Sequence, residues 1–167
     1  MVSYQRSSEE RAALYCARQG LLIVGRPDVS GNDGSIHATH RRTIVKSFNR
    51  PQTFDKESQA YRRLAQHSVR QIQGHMVPQL LSVDAALGAI EMSVVSRPFV
   101  LDFGKIQLDR RLEDAWPAEV LEERWAYWES LFEPEQWPIV LAIYGELGHR
   151  FGIWLEDIHP GNIGFWS

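Results

Sequence analysis

The sequence predicts an α+β fold: an N-terminal helix, a small lobe of antiparallel sheet plus one helix, and then a reduced helical lobe. Three observations carry that expectation. Short alternating runs bounded by turn residues fall within the first 96 residues. Two long stretches with apolar residues at helical spacing come after them. Between the two patterns lies Ser96-Arg97-Pro98, so the domains are expected as 1–96 and 97–167.

The elements follow in order. Residues 8–19 read as a helix, with Ser7 as N-cap, Glu10 three residues on to complete a capping box, and Gly20 as the stop. "LLIVG" (21–25) is a short strand, and "RPDVSGNDGS" (26–35) a turn-rich loop. "IHAT" and "RTIVKSF" form a hairpin whose second arm alternates Ile44, Lys46 and Phe48 with Thr43, Val45 and Ser47. "TFDKESQAYRRLAQH" (53–67) is helical, with Glu57, Tyr61 and Leu64 on one face. "VPQLLSVD" and "GAIEMSVV" are strands joined by a turn near Asp84–Gly88.

In the second half, residues 117–132 begin with a Pro where helices tolerate one, and Leu121, Trp125, Trp128 and Phe132 stripe one side. Residues 136–150 repeat the device, with Val140, Tyr144 and Leu147 as the buried face. Tryptophans 116, 125, 128 and 137 read as core. The apolar runs Ile153-Trp154-Leu155 and Ile163 to Phe165 are short strands flanking a polar turn. In that turn Pro160-Gly161 holds Asp157 and Asn162 to one side.

Composition narrows the class. At 167 residues, 44% hydrophobic and 23% charged, the chain is one domain by size or two small lobes sharing an interface. A net charge of -3 argues against a nucleic-acid partner. The single Cys16 excludes an internal disulfide framework and fits a reducing compartment. With no apolar run of membrane-spanning length and a charged N-terminus, a cytoplasmic protein without a membrane partner is expected.

The order strand, glycine loop, hairpin with Lys46, helix with Glu57, two strands, helices, then Asp157-Ile158-His159-Pro160-Gly161-Asn162 resembles the protein-kinase-like superfamily. It is closer to the aminoglycoside-phosphotransferase and other non-classical branches, which carry Asp-Leu-His-Pro-Gly-Asn in the catalytic loop. The resemblance runs from about Leu21 to Phe165 and implies an ATP and Mg²⁺ site. Gly31, Gly34 and Ser35 in "GNDGSI" would match the latter part of the glycine-rich loop over the phosphates, with Val29 where its first glycine stands. Lys46 in "TIVK" would hold the α- and β-phosphates, positioned by an ion pair to Glu57 that faces the cleft between lobes. Ile44 stands where a small Ala is usual. Asp157 would be the catalytic base and Asn162 a metal ligand. His159 falls where protein kinases place a phosphate-contacting Lys, while Leu155 departs from the His usual two residues before the base.

One family part is out of place. The second acidic metal ligand, the Asp of Asp-Phe-Gly, should follow the Asn by roughly a dozen residues. Here only five residues follow Asn162, and an Asp102-Phe103-Gly104 precedes the loop instead. By element order that tripeptide is a linker between lobes. The alternative is that Asp102 reaches the site and supplies the missing carboxylate as a rewired metal ligand. Function therefore divides into a pseudokinase-type nucleotide binder with weak or absent transfer, an active minimal phosphotransferase using Asp102, and a partner-binding module that keeps only the fold. In the last, a protein partner or self-association covers the reduced helical lobe.

Overall fold

The computed structural model describes residues 5–31 and 33–166, and only the backbone over 26–31. In chain order the elements are α1 (Ser8–Gln19), β1 (Ile23–Gly31), β2 (Gly34–Thr39), β3 (Thr43–Phe48), α2 (Pro51–Gln66), β4 (Gln71–Ile72), β5 (His75–Met76), β6 (Leu80–Asp84) and β7 (Ala89–Ser93). There follow β8 (Phe99–Val100), β9 (Ile106–Leu108), a single 3₁₀ turn (Leu112–Asp114), α3 (Ala118–Glu129), α4 (Trp137–Phe151), β10 (Ile153–Leu155) and β11 (Ile163–Gly164). This is an α+β chain whose strands pair almost entirely antiparallel. It divides into two compact units: residues up to Arg62 with Pro78–Val94, and Arg63–Val77 with the residues from Val95 on.

In the first unit the sheet order is β1-β2-β3-β7-β6. Helix α1 starts as the sequence indicates: the Glu10 amide donates to Ser7 Oγ at 3.2 Å and the Ser7 amide to Glu10 Oε2 at 2.8 Å. Gly20, at φ +64°, turns the chain off the helix end. Strand β1 is longer than expected. Residues 26–31 continue as strand because β2 supplies partners, pairing Val29 with Ile36, Ser30 with Ser35 and Gly31 with Gly34. The register is irregular between Val24 and Val29, the interval that holds Pro27, which has no amide to donate to a ladder. Pro51 takes the first position of α2, two residues before the expected start, so Glu57 sits in the second turn of the helix.

One face of this sheet lies under α1. Val45 and Ala89 join Ala12, Tyr15, Cys16, Leu21 and Leu87 in a buried cluster. Arg11 is buried with them and satisfies its guanidinium on backbone carbonyls: Leu87 at 3.0 Å, Arg6 at 2.8 Å, and Phe48. The Tyr15 hydroxyl donates to Glu91 Oε2 at 2.9 Å and that of Thr43 to Oε1 at 2.7 Å, so the buried carboxylate has a donor on each oxygen. Burial, with the Glu91 carboxylate beside it, pushes the Tyr15 phenol up to about 12.

The second unit holds two small sheets, β11-β8-β5-β4 and β10-β9, with α3 and α4. Their strands are two or three residues long, too short to show a period, and β4, β5, β8 and β9 are invisible in the sequence pattern. Leu121, Trp128, Phe132, Val140, Tyr144 and Leu147 are buried as the stripes predict. Trp116, Trp125 and Trp137 are only partly buried, Trp125 meeting Trp128 and Tyr144 edge-on at 5.0 and 4.9 Å. Gly148 on α4 lies against Trp154, whose indole atoms would stand 2.3 Å from any Cβ there, so that contact requires a glycine.

Residues 63–77 belong to this unit, whereas the division into 1–96 and 97–167 placed them in the first. The reason is local. Arg63 grips Asp109 through two hydrogen bonds of 2.6 and 2.7 Å and donates to the Phe151 carbonyl at 3.0 Å, while β5 pairs with β8. The Arg63 guanidinium holds the Asp109 carboxyl below the usual carboxylate range. The later division, between Val94 and Val95, adjoins the expected Ser96-Arg97-Pro98. Among the described residues no helix is long and apolar enough to cross a membrane.

Candidate functional site

Lys46 is central in β3, between Ile36 of β2 and Ile90 of β7. A strand interior surrounded by apolar neighbours is an unfavourable place for an ammonium unless a counter-charge meets it. Glu57 does: Lys46 Nζ lies 2.8 Å from Oε2 and 3.0 Å from Oε1, and the side chains are 9% and 1% exposed. The Phe48 ring adds its face at 5.1 Å from Nζ. The ion pair expected from the sequence is made, and Tyr61 and Leu64, on the same face of α2, are both buried. Two rigid elements thus fix one cation.

Gly31 and Gly34 close the β1–β2 hairpin as a pair, while Asn32 between them lies outside the described residues. Gly34 is dictated by packing. At φ +145° its Cβ would sit 1.9 Å from the Ser47 carbonyl oxygen, so the hairpin approaches β3 only as glycine. Ser35 pairs with Ser47, one register step from the Ile36–Lys46 pair, so its side chain occupies the opposite sheet face from Lys46. There it is fully buried, with no hydrogen-bond partner for Oγ. Only the backbone of Ser35 remains for a phosphate-covering role; its hydroxyl is not brought to Lys46.

The second unit assembles the other candidates from two antiparallel chain segments. β9 pairs with β10, Ile106 opposite Leu155, and β8 pairs with β11, Val100 opposite Ile163. Between these two ladders the segments 101–105 and 156–162 run as facing loops. The Glu156 amide donates to the Lys105 carbonyl at 3.0 Å, and the Leu101 amide to the Asn162 carbonyl at 2.9 Å, so the loops are tied at both ends. Phe103 and Ile158, both fully buried, anchor their centres. Asp102-Phe103-Gly104 is therefore more than a linker: it lies beside the Asp157–Asn162 turn.

Within that turn the Asn162 and Ile163 amides both donate to the His159 carbonyl, at 2.9 and 3.0 Å. Gly161 N donates to His159 Nδ1 at 3.0 Å, which fixes the imidazole and leaves Nε2 4.0 Å from Asp157 Oδ2. The Asn162 amide donates from Nδ2 to the Asp157 carbonyl at 3.1 Å, and its Oδ1 accepts no hydrogen bond from the described residues. Asp157 Oδ2 lies 2.8 Å from Lys105 Nζ. Asp102 stands at φ +64°, with Oδ1 accepting from Gly104 N at 3.3 Å.

These oxygens suit a hard dication in type: one carboxylate from Asp102 and the amide oxygen of Asn162, oriented by its own Nδ2 bond. No three His, Cys, Asp or Glu side chains among the described residues converge on a metal-sized site. In donor type these oxygens match what Mg²⁺ takes, one or two protein oxygens with phosphate and water completing the shell. Lys105, whose Nζ meets Asp157, is not among the residues the sequence singles out. Its only signal in the sequence is its place immediately after Asp102-Phe103-Gly104.

No protein-family model matches the chain, and no curated protein matches it.

Proposed function

We propose that this chain is a kinase-like nucleotide-binding protein, a small sheet lobe with a reduced helical lobe, which takes ATP with Mg²⁺ and transfers phosphate slowly or not at all. The observation that carries the reading is the buried Lys46–Glu57 pair, a cation fixed by a strand and a helix as polyphosphate recognition requires. In the second unit Asn162 and Asp102 would hold the metal, which when bound neutralises charge on phosphate oxygens. Asp157 is the group to accept a hydroxyl proton from an acceptor, and His159 stands beside it.

A second reading, an active minimal phosphotransferase in which Asp102 as rewired ligand suffices for turnover, is favoured by one contact. The Leu101 amide bonds the Asn162 carbonyl, putting Asp102 one residue from a direct tie to the proposed metal-binding Asn.

Thermal melting tests the proposal. Only the folded state binds nucleotide, so Mg-ATP should stabilise the wild type by mass action, by about 2.7 kcal/mol at a hundred times Kd. The Lys46→Ala variant, measured against its own nucleotide-free melting point, should lose most of the shift. A folded wild type that shows no shift at millimolar Mg-ATP leaves the partner-binding module as the reading.

A further inference from the structure

We propose that the cleft along the first two turns of α3 docks an arginine side chain presented by a basic segment of a partner protein. The inference is independent of the nucleotide reading, since every residue it uses lies in the helical part of the second unit.

Charge singles the region out. Residues 112–135 hold eight acidic side chains and one basic one, Arg124, while the rest of the chain holds 13 acidic and 17 basic. The net charge of -3 therefore combines one strongly acidic stretch with an otherwise basic chain. Acid alone would make only a solvated helix face. Here it rims a cleft of about 240 Å³, lined by Glu113, Trp116, Ala118, Leu121, Glu122 and Trp125. The last four of these follow one another at i, i+3, i+4 and i+7, a single face of the helix. The volume lies below the roughly 300 Å³ at which small-molecule sites begin, and suits one side chain. Two indoles with carboxylates beside them favour a cation carried on an apolar stem.

The chain itself indicates which cation. Arg124 lays its guanidinium over Trp116 at 5.0 Å and over Trp128 at 5.8 Å, so these indoles already accept one. A planar guanidinium stacks on an indole and forks to a carboxylate, whereas a Lys ammonium is a point charge. Glu122 has no ion-pair partner among the described residues, and Glu113 has Arg111 at 3.5 Å in an exposed pair. A pair of that kind is weak enough to yield to a better-placed cation.

Tyr144 supplies a further signal. Its ring meets Trp125 edge-on at 4.9 Å, it is 6% exposed, and its hydroxyl has no hydrogen-bond partner. Burial, with the Glu113 carboxylate nearby, pushes the phenol up, so the group stays neutral and keeps its lone pairs. A guanidinium brings five donors and no acceptor, enough for both carboxylates and this oxygen. Exposed Val120 and Tyr127 on the same helix offer apolar surface to residues flanking the arginine.

Calorimetric titration of the full chain with a short acetylated, amidated peptide of alternating arginine and leucine tests this. The arginine peptide should bind saturably and weaken as salt rises. Citrulline in place of arginine keeps the shape without the charge and should cost about tenfold or more. Lysine in its place should bind several-fold more weakly. Glu122→Gln should weaken the arginine peptide by about fivefold to tenfold. Tyr144→Phe keeps the ring and removes the unpartnered oxygen, so the free protein should melt no lower than wild type while binding the peptide more weakly. A citrulline peptide that binds as well as arginine overturns the proposal. So does arginine-peptide binding unchanged in both Glu122→Gln and Tyr144→Phe, which places the contact elsewhere on the acidic stretch. Arginine amide that binds as tightly as the peptide makes the cleft a small-cation pocket and overturns the docking. A free protein that self-associates, and ceases to in Glu122→Gln, gives the cleft to a second copy and overturns it too.

Discussion

Lys46→Ala is expected to cost the fold about 3–5 kcal/mol, because it breaks a buried ion pair by removing one partner. Glu57 is 1% exposed and cannot recover that charge stabilisation from water. Glu57→Ala should cost a similar amount by breaking the same pair from the other side. The double change Lys46→Met with Glu57→Leu removes both charges and should return most of the loss, since apolar replacement of a whole buried pair is often neutral. Urea unfolding midpoints of the three variants measure this. The same double variant should have lost nucleotide-dependent stabilisation, which separates the chemical role of the pair from its structural one. A Lys46→Ala loss within about 1 kcal/mol, the range of an exposed pair, would mean that water reaches Glu57.

Asp102→Asn should weaken Mg²⁺-dependent nucleotide binding by about tenfold or more, since a hard dication loses an anionic ligand. The substitution keeps the local backbone. Asn tolerates the left-handed backbone that Asp102 adopts at φ +64°, and its amide oxygen can still accept from Gly104 N. Ala would confound the result by adding strain at that φ. Any phosphoryl transfer should fall together with the Mg²⁺ dependence. Transfer that survives both Asp102→Asn and Asp157→Asn would place the chemistry on other residues.

How much of this was legible in the sequence follows from which features are local. The α1 capping box, the Ile44-Lys46-Phe48 alternation and the Glu57-Tyr61-Leu64 face all recur within a turn or two, and each appears in the structure at those residues. The Lys46–Glu57 pair was legible because an ammonium on an apolar strand face needs a counter-charge and the next helix offers one. The continuation of β1 through residues 26–31 was not, because Pro27 and the glycines read as turn chemistry while the pairing that overrides them lies in β2. Ser35 was placed with the phosphate loop by its position in the motif, but strand alternation turns its hydroxyl to the other face.

The assignment of Asp102-Phe103-Gly104 as a linker failed for a related reason. Two-residue strands carry no period, and the β8–β11 and β9–β10 ladders that bring residues 101–105 beside 156–162 join segments about fifty positions apart. Order along the chain pointed away from a neighbourhood that only pairing creates.

Binding of ATP to the wild-type protein should be measured by calorimetry in Mg²⁺ and again after chelation. Saturable one-to-one binding that weakens by about tenfold or more on removing the metal is the expected result, since on the proposed reading Lys46 would contact phosphate directly while Asp102 and Asn162 would act through the ion. A folded protein that gives no binding heat with millimolar Mg-ATP, or binds ATP equally with and without the metal, would contradict it.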